Sequence, residues 1–130
     1  MKKYVFMMLC VLTMIVSLTS CQDDDDIYDR IVGNTWVGYL GFHDGPFDLE
    51  SGIYFGSDGF GTDELYYYDG GDRYGKLNIQ WELKGGDIYI SYGKVAPPRE
   101  LRGVYVRKGE LNAALYVDGR YVEDVTLYRD

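Results

Sequence analysis

Leu77-Asn78-Ile79-Gln80-Trp81-Glu82-Leu83 alternates large apolar and polar side chains without a break. Successive side chains of a β-strand point to opposite faces. This spacing therefore gathers Leu77, Ile79, Trp81 and Leu83 on one side and turns Asn78, Gln80 and Glu82 to the other. A helix, with its period of about 3.6 residues, would scatter the same apolar residues around its circumference. The stretch reads as a strand with one buried and one wet face, the kind that builds antiparallel sheets.

The same period extends to either side of it and predicts strands over Trp36–Phe42, Ile53–Phe55, Phe60–Tyr68, Ile88–Tyr92, Leu101–Arg107, Leu111–Val117 and Tyr121–Tyr128. Between them lie Gly56-Ser57-Asp58-Gly59, Asp69-Gly70-Gly71, Gly85-Gly86-Asp87 and Asp118-Gly119. Asp-Gly and Gly-Gly pairs tolerate the positive φ that tight hairpins need. The clearest hairpin is Val117-Asp118-Gly119-Arg120. Consecutive strands joined by short turns form an antiparallel meander, and about eight of them remove their exposed edges most simply by closing into a small barrel. A two-sheet β-sandwich is the alternative. Pro97-Pro98 lacks amide donors and belongs in a loop or at an edge. Only Asp26–Val32 lacks strand character, and a helical turn is expected there. On this register Trp36, Ile53, Phe55, Leu77, Ile79, Trp81, Ile88 and Ile90 point inward, while Tyr39, Tyr54 and Tyr89 point outward. The bulk of Trp36, Phe55 and Trp81 favours a filled interior.

Gly33-Asn34-Thr35-Trp36 ahead of a strand, Phe55-Gly56-Ser57-Asp58-Gly59 and Trp81-Glu82-Leu83 together resemble the lipocalin-like (calycin-like) lipoprotein domains of Bacteroidetes. In those a Trp opens the barrel and a Phe-x-x-Asp-Gly turn follows. The resemblance covers most of residues 33–130 and implies a small β-barrel, but it brings no activity and no binding residues. The chain departs from true lipocalins, which carry Gly-x-Trp rather than Gly33-x-x-Trp36 and longer strands. That departure argues against a large internal cavity.

Ahead of the barrel, Lys2 and Lys3 precede an uncharged run, Tyr4–Leu18, in the layout of a secretory signal peptide. A helix over that run would reach roughly 22 Å, short of the roughly 30 Å bilayer core. Leu18-Thr19-Ser20-Cys21 resembles the bacterial lipobox, which implies cleavage before Cys21 and a multiply acylated Cys21 as membrane anchor. Cys10 lies inside the apolar run, so the mature chain is expected to hold no disulfide and no cysteine nucleophile or metal site. Asp23-Asp24-Asp25-Asp26 is a block of like charge, expected to stay extended and solvated as a tether. An acidic run just after the lipidated Cys also resembles the surface-export signal of Bacteroidetes lipoproteins. It implies an outer-membrane protein exposed at the cell surface; a periplasm-facing domain is the alternative. The organisation is thus a signal peptide at 1–20, an acylated Cys and acidic tether at 21–32, and a barrel domain at 33–130.

The chain carries 13 Lys and Arg against 21 Asp and Glu. Loss of Lys2 and Lys3 leaves 11 against 21, a net charge of −10. Nucleic-acid binding needs a basic face, and so does adhesion to anionic lipid through charge; neither is expected. His43 is the only histidine, set between two strands. As a general base it would need a placed partner, and Asp44 and Asp48 are its sequence neighbours; a solvated histidine is the simpler reading. A chance pair among so many acids would not establish glycoside hydrolysis. Asp58–Glu64 and Asp69–Asp72 miss the spacing of a calcium loop and read as turn acids. No enzyme activity, metal or cofactor is expected.

Tyrosine is the unusual residue: 14 in the chain, of which only Tyr4 precedes Cys21. A tyrosine ring offers large apolar area with one polar tip, which suits a surface that binds while staying wet when empty. The expected function is a non-catalytic binding module for a glycan, peptide or small apolar ligand, with Tyr39, Tyr54 and Tyr89 on its surface. The alternative is an accessory subunit whose outward tyrosines pack against another envelope protein.

Overall fold

The computed structural model describes residues 22–130. One helix, α1 (Asp24–Ile31), precedes eight antiparallel strands: β1 (Thr35–Asp44), β2 (Phe47–Phe55), β3 (Phe60–Tyr67), β4 (Arg73–Lys84), β5 (Asp87–Ser91), β6 (Arg99–Arg107), β7 (Glu110–Val117) and β8 (Arg120–Arg129). They pair in chain order and close into a barrel, β8 returning to β1 through Trp36↔Arg129 and Val37↔Tyr128. The meander is therefore a barrel and not a sandwich. It is an eight-stranded architecture compatible with a lipocalin-like fold.

Each strand read from the sequence is present, several of them longer. β2 begins at Phe47 instead of Ile53, because pairing with β1 and β3 recruits Asp48–Gly52, whose own strand preference is weak. The Val117↔Arg120 hairpin turns through Asp118 (φ 52°) and Gly119 (φ 81°), the left-handed pair of a type I′ turn. The inward set holds as well. Trp36, Ile53, Phe55 and Ile88 are fully buried, and Ile79, Trp81 and Ile90 nearly so, with Leu77 half-buried against them. Gly61 marks a close approach: a Cβ there would collide with the Tyr54 carbonyl of the neighbouring strand.

The acidic run corrects the tether expectation. Asp23 is the N-cap of α1 and accepts the Asp26 N–H, while Asp24, Asp25 and Asp26 occupy the first turn. Negative charge at a helix N-terminus meets the positive end of the helix dipole, so a block that repels itself in a coil is favoured there. Ile27 and Ile31, four residues apart, fall on one face and are fully buried. The helix is pinned by polar contacts too. The Asp24 carboxylate accepts the Gly85 and Gly86 N–H groups at 2.9 and 2.8 Å. Gln22 donates to the Val106 carbonyl at 2.7 Å and accepts its N–H at 2.8 Å. The segment is a lid over one end of the barrel. Beneath it Trp36 Nε1 donates to the Ile31 carbonyl at 3.2 Å and Trp81 Nε1 to the Gly56 carbonyl at 2.9 Å. Cys21 and the signal segment lie outside the described residues.

Candidate ligand-binding surface

The structure leaves Tyr54 and Tyr89 exposed and packs Tyr39 partly against the core, and it does not bring the three together. Tyr54 pairs with Thr35 near the helix end of β1, and Tyr39 lies four residues further along that strand, paired with Glu50. Tyr89 is on β5, across the barrel, flanked by Glu82 and Glu100. Tyr54 and Tyr89 are about 40% exposed (40% and 39%), while Tyr39 is half-buried. Only Tyr39 belongs to a larger aromatic surface.

That surface is built at the end of the barrel opposite α1. β1 and β2 join through Gly45-Pro46, and Phe47 follows with 62% of its surface exposed. The β3–β4 loop beside it opens with Tyr68, and Gly70 and Gly71 take positive φ there, a course that sets Tyr67 and Tyr68 against the β1–β2 turn. Pro46, Phe47, Asp48, Tyr67, Tyr68 and Asp69 line a groove of about 390 Å³. Tyr67 donates a hydrogen bond to Asp44 and meets Tyr74 edge-on at 5.7 Å. Tyr68 also borders a second groove along the barrel wall that contains Tyr39, Glu50, Glu123 and Tyr128. The two grooves share Tyr68 as a lining residue.

His43 is not a loop residue but the penultimate residue of β1, paired with Asp48. A bulge sets four residue steps of β1, Tyr39 to His43, against two of β2, Glu50 to Asp48. His43 Nδ1 lies 2.8 Å from Asp48 Oδ1, and the Tyr39 hydroxyl lies 3.1 Å from His43 Nε2. Histidine therefore has the placed partner that sequence neighbours alone did not supply. The chain Tyr39–His43–Asp48 has nucleophile–base–orienter order, yet its electrostatics run against a nucleophile. Burial, then the carboxylates of Asp48 and Glu123, hold the Tyr39 proton more tightly than usual. Tyr67 is pushed up to about 12 by its bond to Asp44, and Tyr68 to about 12 by burial and then by Glu50 and Asp48. All three are fixed as neutral phenols, donors and ring faces in an acidic setting.

Inside the barrel lies a polar cluster that the sequence reading missed. Asp63, taken as a turn acid, is in β3 and has no exposed surface. Its Oδ2 accepts from Tyr92 at 2.6 Å and Ser51 at 3.3 Å, while Oδ1 has no partner. Burial raises this carboxyl to about 6, against the opposing pull of the Tyr92 and Ser51 hydrogen bonds and of Arg99. Arg99, itself buried, donates to the carbonyls of Leu40, Gly41 and Pro97 and stacks on Phe42 at 3.8 Å. The signal was available: Gly61, Asp63 and Leu65 share one face by period two, and Leu65 is a core residue.

Among the described residues no group of three or more His, Cys, Asp or Glu side chains is placed to hold a metal ion. No family model, no curated protein and no solved structure matches the chain.

Proposed function

We propose that this chain is a non-catalytic binding module of the cell envelope and that its ligand is a neutral glycan held along the Phe47–Tyr68–Tyr39 path. The observation that carries the reading is that two grooves share Tyr68, with aromatic faces flanked by Asp44, Asp48, Asp69 and Glu50. Sugar rings present apolar C–H faces for ring stacking and hydroxyls for carboxylate acceptors, and this surface offers both. The same carboxylates repel anionic ligands. The tightened phenol protons favour binding over nucleophilic chemistry. Cys21, preceded by Leu18-Thr19-Ser20, is the proposed lipid anchor, with the domain outside the outer membrane. α1 and Gln22 occupy one end of the barrel and the aromatic surface the other, which supports a site held away from the proposed anchor.

A glycan array probed with residues 22–130 tests the ligand class. Hits confined to neutral glycans are expected; a silent array, or hits dominated by sulfated or sialylated glycans, would overturn the reading. Protease shaving of intact cells tests the facing. The domain should be lost before the outer membrane is permeabilised, and its survival until then would place it inside.

A further inference from the structure

β5 is the short stave of the barrel: β6 outruns it at the helix end and β4 at the other. It covers β4 only from Gln80 to Lys84 and β6 only from Arg99 to Leu101 in register. At the helix end the chain fills the opening itself. Val104 N–H donates to the Gly86 carbonyl at 2.9 Å, Gly103 N–H to Asp87 Oδ1 at 2.9 Å, and Gln22 takes both backbone groups of Val106. At the other end, among the described residues, β4 from Arg73 to Ile79 is paired through β3 alone. The sequence explains why. Gly93 (φ +66°) turns the chain away after Ser91, and Pro97-Pro98 has no amide hydrogens with which to resume a ladder.

Register identifies the backbone groups that face the opening. Trp81 N–H donates to the Gly59 carbonyl on the β3 side at 2.9 Å. Residues of an antiparallel strand that face the same neighbour recur at every second position. Pairing is uninterrupted from Gly75 to Gln80, which assigns Ile79, Leu77 and Gly75 to β3. Lys76 and Asn78 therefore direct their N–H and C=O groups away from β3. Beside them is a groove of about 460 Å³ whose walls include Phe60, Lys76, Leu77, Ile79, Tyr92 and Val95. Phe60 is 53% exposed and Val95 73%, large apolar surface at a strand edge of the kind natural sheets usually blunt.

Charge selects the occupant. The chain is strongly acidic, yet no carboxylate lines this groove, Lys76 does, and Lys94 sits between its lining residues Gly93 and Val95. Glu64, opposite Lys76 on β3, is engaged by Arg73 at 3.3 Å and by the Tyr66 hydroxyl. We infer that the Arg73–Ile79 edge takes an extended segment of a partner protein as an added strand. Its apolar side chains would lie over Leu77, Ile79 and Val95, and the carboxylates alternating with them would meet Lys76 and Lys94. Main-chain hydrogen bonds supply the affinity and the lysines the selectivity. The site is separate from the glycan path, so either reading can fail without the other.

The test titrates residues 22–130 with a short peptide of alternating Val and Glu, following backbone amide shifts and exchange. Three controls accompany it: the Val–Lys counterpart, a Val–Glu peptide N-methylated on alternate amides, and the variant Lys76→Glu. The Val–Glu peptide is expected to slow exchange at Lys76 and Asn78, with roughly tenfold weaker binding for the Val–Lys peptide. N-methylation should abolish binding, and Lys76→Glu, with an unchanged unfolding curve, should reverse the charge preference. Binding indifferent to charge, or shifts confined to Phe47 and Tyr68, would overturn the inference. So would protection of Lys76 and Asn78 that grows with protein concentration alone, which would make a second copy the occupant.

Discussion

Asp63 shows what a single residue does to this fold and why its role was hard to read. An aspartate among glycines and threonine looks like a turn residue. Its burial becomes visible only when the period-two face of β3 is followed through it to Leu65. In the barrel its carboxyl titrates near 6 instead of 3.8. Between roughly pH 4 and 6 the folded chain therefore keeps a proton that the unfolded chain has released, and stability falls as pH rises through that window. Asp63→Asn is expected to raise stability at pH 7 by about 1–3 kcal/mol and to flatten the decline between pH 4 and 6. Urea unfolding at several pH values checks it; an unchanged pH slope would assign the titration elsewhere. Gly61→Ala acts two residues earlier by a different route. Its methyl group meets the Tyr54 carbonyl, and a loss of about 1–3 kcal/mol is expected in the same assay.

At the level of elements, the strands were legible and so was a helical turn over Asp26–Val32, but the start of α1 within the aspartates was not. Alternation in Leu77–Leu83 and the Asp118-Gly119 pair specify a strand and a turn with little help from the rest of the molecule. The first turn of α1 was hidden behind its own charge, because four consecutive aspartates read as a solvated block when no helix terminus is in view. The signal that outweighs them is Ile27 and Ile31 at a spacing of four, with Asp23 placed to cap. Ile31→Ala is expected to cost about 2–4 kcal/mol, since it empties a fully buried site against Trp36. Asp23→Ala should cost about 1 kcal/mol. A chain beginning at residue 33 that unfolds at the same urea concentration as residues 22–130 would show that the lid adds nothing. The candidate site was legible only in kind: outward tyrosines follow from strand parity. Which of them converge depends on the β1 bulge and the β3–β4 loop, and neither has a period to read.

On the scale of the whole molecule, the barrel has two unlike ends. One is closed by α1 over Trp36, Phe55 and Trp81; the other carries Phe47, Tyr67 and Tyr68 between carboxylates. The indoles are buried behind the lid, while the rings at the opposite rim, the surface proposed for recognition, are left exposed. On the proposed function, recognition runs through Tyr68 and not through the outward tyrosines in general. The most direct measurement is binding of an array-selected neutral glycan to four proteins, wild type and Tyr68→Ala, Tyr54→Ala and Tyr89→Ala, each verified as folded by its unfolding curve. Removing one stacked ring is expected to weaken binding at least roughly tenfold in Tyr68→Ala, about 1.4 kcal/mol, and to leave Tyr54→Ala and Tyr89→Ala at wild-type affinity. Full affinity in Tyr68→Ala, or a loss that appears in Tyr89→Ala instead, would contradict it.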